Sequence, residues 1–172
     1  MEDQYPLSVI ASDRNDLYEI CDDMERIADQ LGGAIDIQLC TSVLSRLRLD
    51  LAQHQQDEEV FFTLLQESDP DDALVARCVA LAQSEHAAIG SYALELTEPI
   101  ADICAGRKAN SADATGYLLR SSFEYMRQHL RWEDAIFFHG AEYAVENVDR
   151  DALKAGLIRN RSLRASHLRV AD

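Results

Sequence analysis

Four long segments of helical periodicity, separated by short stretches of helix-breaking residues, constrain the fold of this chain more than any other feature. The first segment repeats apolar residues three or four positions apart and ends at Gly32 and Gly33, a pair typical of a helix C-cap. The second runs from about residue 36 to residue 67. Because short connections make successive long helices antiparallel neighbours, the sequence predicts an all-α, up-down-up-down four-helix bundle.

The third and fourth segments complete this bundle. In the SDPDD stretch we expect Asp69 to cap the third helix and Pro70 to take its first position, and the segment runs to residue 106. Pro99 should kink or fray it near its end. The fourth helix should begin after a cap at Ser111 and reach about residue 145. Residues 149–172 predict a short extra C-terminal helix, so we divide the chain into a bundle at 1–148 and a basic helix or tail at 149–172.

Five ionisable residues fall on faces of these segments that should be apolar. Residues four apart lie one turn apart on a helix, so each HxxxE pair offers a nitrogen and a carboxylate oxygen to one point in the core. Burying ionisable side chains costs free energy unless their charges are paired or neutralised, and a bound metal ion would interact favourably with all five of these side chains. The candidate metal ligands are His54, Glu58, His86, His129 and Glu133.

The HxxxE pattern occurs twice, in HQQDEEVFF and in HLRWEDAIFF. The alternative interpretation is a hydrogen-bonded network within the core, which a single copy would fit equally well. Two copies on different segments, each with an aromatic residue eight positions after the histidine, favour the metal site. Glu59, Glu85 and Asp134 flank the candidate ligands, and we expect them to be solvated or to contact the ligands. The paired phenylalanines should pack in the core and at its rim; the functional alternative is an apolar wall that controls access to the metal.

Charge and composition exclude several classes of function. The formal net charge of −15 would repel nucleic acid and an anionic membrane surface alike, so we expect neither as a partner. The first residues show no signal peptide and no apolar run could span a bilayer, which predicts a cytoplasmic protein. The four cysteines contain no CxxC pair and are expected to be buried structural thiols.

At the candidate ligands the sequence resembles the hemerythrin-like, HHE cation-binding family. LAQHQQDEEVFFTLL and MRQHLRWEDAIFF are similar to its second-helix and fourth-helix signatures, and SEHAAIG is similar to its third-helix histidine, over about residues 7–145. The resemblance implies a non-haem iron site, usually with two irons, in the core of a four-helix bundle. It implies Glu58 and Glu133 as bridging ligands, His54 as a ligand of one ion, and His86 and His129 as ligands of the other.

The first helix departs from the family, which normally supplies a histidine there. Arg14 stands at that position, three residues before Leu17 and on the inward stripe. Asp13 could replace the histidine as an oxygen ligand and preserve two metal ions. Alternatively, Arg14 could pair with a glutamate and leave a site for one ion. A third interpretation has Arg14 reach out to solvent. We expect Tyr18, one turn away, to be a hydrogen-bond donor near the site.

Three classes of function fit this sequence. The favoured one is a metal-binding protein that senses or carries dioxygen or nitric oxide, or that reports redox state or metal supply. The second is an enzyme with one or two metal ions that acts on peroxide or nitric oxide; the sequence encodes no source of electrons, which favours binding over catalysis. The third is a helical interaction module with a degenerate site. Imidazole and carboxylate ligands suit iron, zinc and manganese, and only the resemblance favours iron, as one or two ions.

The basic tail is the last feature with a functional meaning. Residues 149–172 carry six basic and three acidic residues, which gives a net charge of +3. Because the whole chain has a net charge of −15, residues 1–148 have a net charge of −18. We expect the tail to dock on the acidic bundle through Leu153, Leu157 and Ile158, with its arginines paired to surface carboxylates. A mobile, solvated tail is the alternative. Release of a docked tail to a protein partner would give a sensor its output, and self-association is a further option.

Overall fold

The computed structural model describes the chain at residues 7–107, 111–139 and 148–170, and within these ranges it contains only helices and their connections. Five α-helices account for most of the described residues. A π-helical turn at Asp134–His139 follows the fourth of them. The α-helices are α1 (Leu7–Gln30), α2 (Ile37–Ser68), α3 (Ala73–Cys104), α4 (Ala112–Glu133) and α5 (Arg150–Val170).

The first four helices pack as a ring. Helices α1 and α3 each contact both α2 and α4, so each helix lies beside the helices that precede and follow it in the chain. This arrangement confirms the predicted four-helix bundle. Helix α5 packs on the outside of α2. Among the described helices, none has a stretch long and apolar enough to cross a membrane.

Local capping explains most of the helix boundaries. Helix α2 begins after Asp36, whose Oδ1 accepts a hydrogen bond from the Leu39 amide at 3.0 Å, and α4 begins after Ser111, whose Oγ accepts from the Ala114 amide at 3.1 Å. Helix α1 ends just before Gly32, which adopts a φ of +91°, as a C-cap glycine does. The boundaries predicted at Ser111 and Gly32 are therefore confirmed.

The third helix begins later than the sequence predicts. Its N-cap is Asp72, whose Oδ1 accepts from the amides of Leu74 and Val75, so the prediction of Asp69 as cap and Pro70 as first residue is wrong. Asp69 instead ends α2 with φ −145° and ψ 85°. Asp69 precedes Pro70, and a residue before proline avoids the helical region of backbone conformation. Residues 69–72 therefore form the turn between the antiparallel helices α2 and α3.

The proline in α3 and the end of the fourth segment were the remaining boundary predictions. Pro99 lies inside α3, which continues to Cys104, so the predicted fraying at this proline is wrong. Helix α4 changes to the π-helical turn after Glu133, and the predicted continuation to residue 145 passes outside the described residues from 140 onwards. The side chain of Phe137 also lies outside them. Of the four free cysteines, only Cys21 and Cys40 are fully buried.

The apolar core consists of two clusters with the candidate ligands between them along α2. The larger cluster includes Leu51, and the smaller one includes Phe61 and Phe62. His54 and Glu58 lie between these positions and are themselves buried. Polar groups are therefore held inside the bundle by apolar packing above and below them, as the periodicity predicts.

Helix α5 contributes to the smaller cluster. Leu153 and Leu157 are fully buried there, whereas Ile158, which was expected to pack with them, is 51% exposed. The helix is also longer than predicted, with 21 residues. Docking of the tail is thus seen in the structure, while the division into domains after residue 148 stays a prediction.

Candidate metal centre

Four of the five candidate ligands converge in the bundle core. One donor atom from each of Glu58, His86, His129 and Glu133 lies within 4.8 Å of every other donor atom in the group. The four residues come from α2, α3 and α4, and all are buried, with side chains at most 7% exposed. They offer two imidazole nitrogens and two carboxylate oxygens to a common centre.

The short distances in this group have two sources. Within α4, residues four apart place His129 Nε2 3.1 Å from Glu133 Oε1. Across the bundle, His86 Nε2 lies 3.1 Å from Glu58 Oε2 and 3.4 Å from Glu133 Oε1. The helical spacing is a local property of the sequence, whereas the position of His86 depends on how α3 packs between α2 and α4.

His54 is buried beside this group but does not belong to it. Its Nε2 lies 3.1 Å from Glu58 Oε2, one helical turn further along α2. Nevertheless, His54 is not part of the set of mutually close donor atoms. The structure therefore brings four of the five predicted ligands to one point and leaves His54 to one side.

The hydrogen bonding of the group fits a cation. Among the described residues, both carboxylates and Nε2 of both histidines in the group are buried without a hydrogen-bond partner. Their contacts of 3.1–3.4 Å are short but do not meet the geometry of hydrogen bonds. Buried polar atoms are rarely left in this state, and a bound metal ion would satisfy all of them at once. The residues present thus fit a metal ion.

The pKa values in the metal-free state also indicate that this site needs positive charge. Burial raises the pKa of Glu58, but His54 and His86 outweigh burial and hold this pKa below its ordinary value. Burial lowers the pKa of His86, but its contacts with Glu133 and Glu58 prevail and raise it to about 9. The pKa of His129 is also raised, because Glu133 and Glu85 outweigh burial. Without a metal ion, protons on the histidines compensate the carboxylates.

Neighbouring side chains hold the histidines in place. Glu85 Oε2 lies 2.7 Å from His129 Nδ1, which leaves Nε2 directed into the site. The Phe62 ring stacks on His86 with 6.0 Å between centroids. Glu59 is more distant, at 3.9 Å from His86 Nδ1, and 46% exposed. Of the flanking acidic residues, Glu85 thus contacts a candidate ligand closely, and Glu59 is mainly solvated.

Comparison with known proteins agrees with this geometry. The family model of the hemerythrin HHE cation-binding domain matches residues 6–141, which is most of the chain. This chain belongs to the hemerythrin HHE cation-binding domain family. No curated protein and no solved structure is a significant match to it.

The first helix of this hemerythrin domain carries a buried arginine in place of the expected histidine. Arg14 is 5% exposed, so the interpretation in which it reaches solvent is wrong. Its Nη2 lies 2.8 Å from Asp134 Oδ1, and Tyr18 donates a hydrogen bond of 3.3 Å to the other oxygen of that carboxylate. Arg14 thus pairs with an aspartate rather than with a glutamate of the site. The π-helical turn begins at this aspartate.

The sequence did not predict one buried ionic contact next to the site. Asp57 is fully buried on α2 next to Glu58, and its carboxylate accepts hydrogen bonds from Gln53, Asn160 and Arg161. The guanidinium of Arg161 also contacts Asp13, the aspartate proposed from the sequence as a substitute ligand. The excess of basic residues in the tail and of acidic residues in the bundle did predict ion pairs between the two. The expected partners of the arginines, however, were surface carboxylates and not the buried Asp57.

Proposed function

We propose that this hemerythrin-like protein binds iron through Glu58, His86, His129 and Glu133, and that it senses or carries a small ligand. The observation that carries the proposal is the convergence of four buried donor atoms within 4.8 Å of one another. Two imidazole and two carboxylate ligands also suit manganese and zinc, and membership of the hemerythrin family favours iron among them.

The burial of the site limits what it can bind. No side chain of the four is more than 7% exposed, and the Phe62 ring covers one face of His86. A second ligand at the metal must therefore be small, which supports dioxygen or nitric oxide. Four protein ligands leave positions open on an ion that accepts five or six. Sensing of redox state or of metal supply needs no second ligand and belongs to the same proposal.

The test is metal analysis of the full chain, purified without oxygen and without a histidine tag. We expect about one iron per chain for the four-residue site, together with a visible spectrum that changes when nitric oxide is added. Glu58→Gln should lose most of the iron, because it removes a charged ligand. Its matched control is Glu59→Gln, the same change at the neighbouring, half-exposed residue. A wild-type chain that takes up no metal, or equal iron loss in the two variants, would contradict the proposal.

The same preparation separates the other two functions. Turnover of peroxide or nitric oxide by the iron-loaded chain, with a supplied reductant, would identify an enzyme. A stable fold without metal uptake would identify an interaction module with a degenerate site. The cytoplasmic location and the protein partner stay predictions.

A further inference from the structure

The outward face of α3 is unusually apolar for a helix at the protein surface. Among the described residues, three of the seven exposed large apolar side chains lie on this helix: Leu74 (70% exposed), Leu81 (45%) and Leu94 (75%). Between Arg77 and Glu95, a range that the structure describes in full, no exposed residue of α3 is charged. Glu85, which lies within this range, turns towards His129 instead. An exposed apolar face of this kind indicates a contact with another protein surface.

The exposed residues of this face are arranged symmetrically along the helix. Three exposed pairs lie at equal distances on either side of the point between residues 87 and 88: Ser84 with Ser91, Leu81 with Leu94, and Arg77 with Glu98. Successive members of this series, with Ala87 at its centre, lie three or four residues apart and therefore share one side of the helix. The series places like residues opposite each other near its centre and opposite charges at its two ends.

Two copies of such a face are complementary when the two helices run antiparallel. A twofold axis at the centre of the series brings each residue of one copy level with its counterpart on the other. The small side chains at the centre allow close approach, and Arg77 of each copy lies level with Glu98 of the other. Within one chain these two charges are 21 residues apart, about 31 Å along the helix, and cannot meet. A parallel arrangement would instead put like charges at the same level, which opposes association.

We propose that two copies of this chain associate through α3, in an antiparallel contact with a twofold axis between Ala87 and Ala88. The charges favour a second copy over a different partner, because this face supplies its own complement. The axis crosses α3 beside His86, so the candidate metal centres of both copies lie behind the same contact. The association does not depend on the proposed metal binding, since none of the contacting residues is a candidate ligand.

The contact should be specific but weak. It is only one helix face wide, which is small for a protein interface, and each chain carries a net charge of −15. We therefore expect a Kd of about 10 μM. Sedimentation equilibrium of the full chain should show a monomer and a dimer between about 1 and 200 μM protein. The salt concentration should be about 0.15 M, which screens the repulsion between the acidic bundles. A wild-type chain that stays monomeric over this range would overturn the inference.

The apolar part of the contact is tested by placing a charge in it. Leu94→Asp should raise the Kd about 100-fold, because the contact would then bury a carboxylate without a partner. Its matched control is Leu163→Asp, the same change at an exposed leucine of α5, which should leave the Kd unchanged. Equal effects of the two variants would place the interface elsewhere and overturn the inference.

The register of the contact is tested by reversing its charges. Arg77→Glu and Glu98→Arg should each raise the Kd about 10-fold, because each puts like charges at both ends of the contact. The two changes shift the net charge in opposite directions, so a general charge effect cannot weaken both variants. When the two variants are mixed, opposite charges meet again at both ends, and native mass spectrometry should show mainly the mixed dimer. Single variants that dimerise like the wild type, or a mixture without enrichment of the mixed dimer, would overturn the inference.

Discussion

Raising the pH from 6.5 to 9 should destabilise the metal-free protein, because a proton on His86 then leaves the core. The pKa of this histidine rises from 6.5 in the unfolded chain to about 9 in the fold. A group whose pKa is raised by folding stabilises the fold fully below its unfolded pKa and loses that effect as the pH rises through the folded value. With 1.36 kcal/mol for each unit, the 2.5-unit difference corresponds to about 3 kcal/mol. The carboxylates of Glu58 and Glu133 then lose part of the positive charge that compensates them.

The assay is urea unfolding of chelator-treated protein at pH 6.5, 7.5 and 9. His86→Gln should lose most of the pH dependence, and His129, whose pKa is also raised, should account for what remains. Metal affinity should change in the opposite direction and increase with pH, because the metal displaces these protons. A metal-free chain whose stability is constant or increases over this range would refute the reasoning, as would an unchanged slope in the variant.

Four further predictions concern the metal and its surroundings. Removing the metal should lower the Tm by on the order of 10 °C in calorimetry, since binding to the folded state alone contributes about 4 kcal/mol at a thousand times Kd; an unchanged Tm would contradict it. Glu85→Gln should weaken metal binding about 10-fold to 100-fold in a chelator competition, because it no longer orients His129. His129→Ala should lose more metal than His54→Ala by elemental analysis, and equal losses would argue for one cooperative two-ion centre. Gly156→Ala should weaken the docking of α5 by about 1–3 kcal/mol, because the added methyl group collides with Val60. The measurement is hydrogen exchange at residues 152–163, which should become faster, and adding Val60→Ala to the same chain should restore the slower exchange.

The sequence determined the features that depend on neighbouring residues. A helix brings positions four apart together, so the pairing of His54 with Glu58 and of His129 with Glu133 followed from spacing alone. The cap at Ser111 is equally local, because its hydroxyl accepts from an amide three residues later. The four-helix bundle followed from the apolar stripes and short connections, which leave few other ways to bury those stripes.

Only the tertiary structure decided which groups meet across helices. Asp69 and Asp72 are both acceptable caps, and the turn needed before α3 selects the second. The sequence left Arg14 with three interpretations, and its pairing with Asp134 depends on the packing of α1 against the end of α4. Arg161 reaches Asp57 across 104 positions. Periodicity fixes the face on which a residue lies, but the rotation and axial position of each helix follow from the packing of the whole core, and these set the distances between charges.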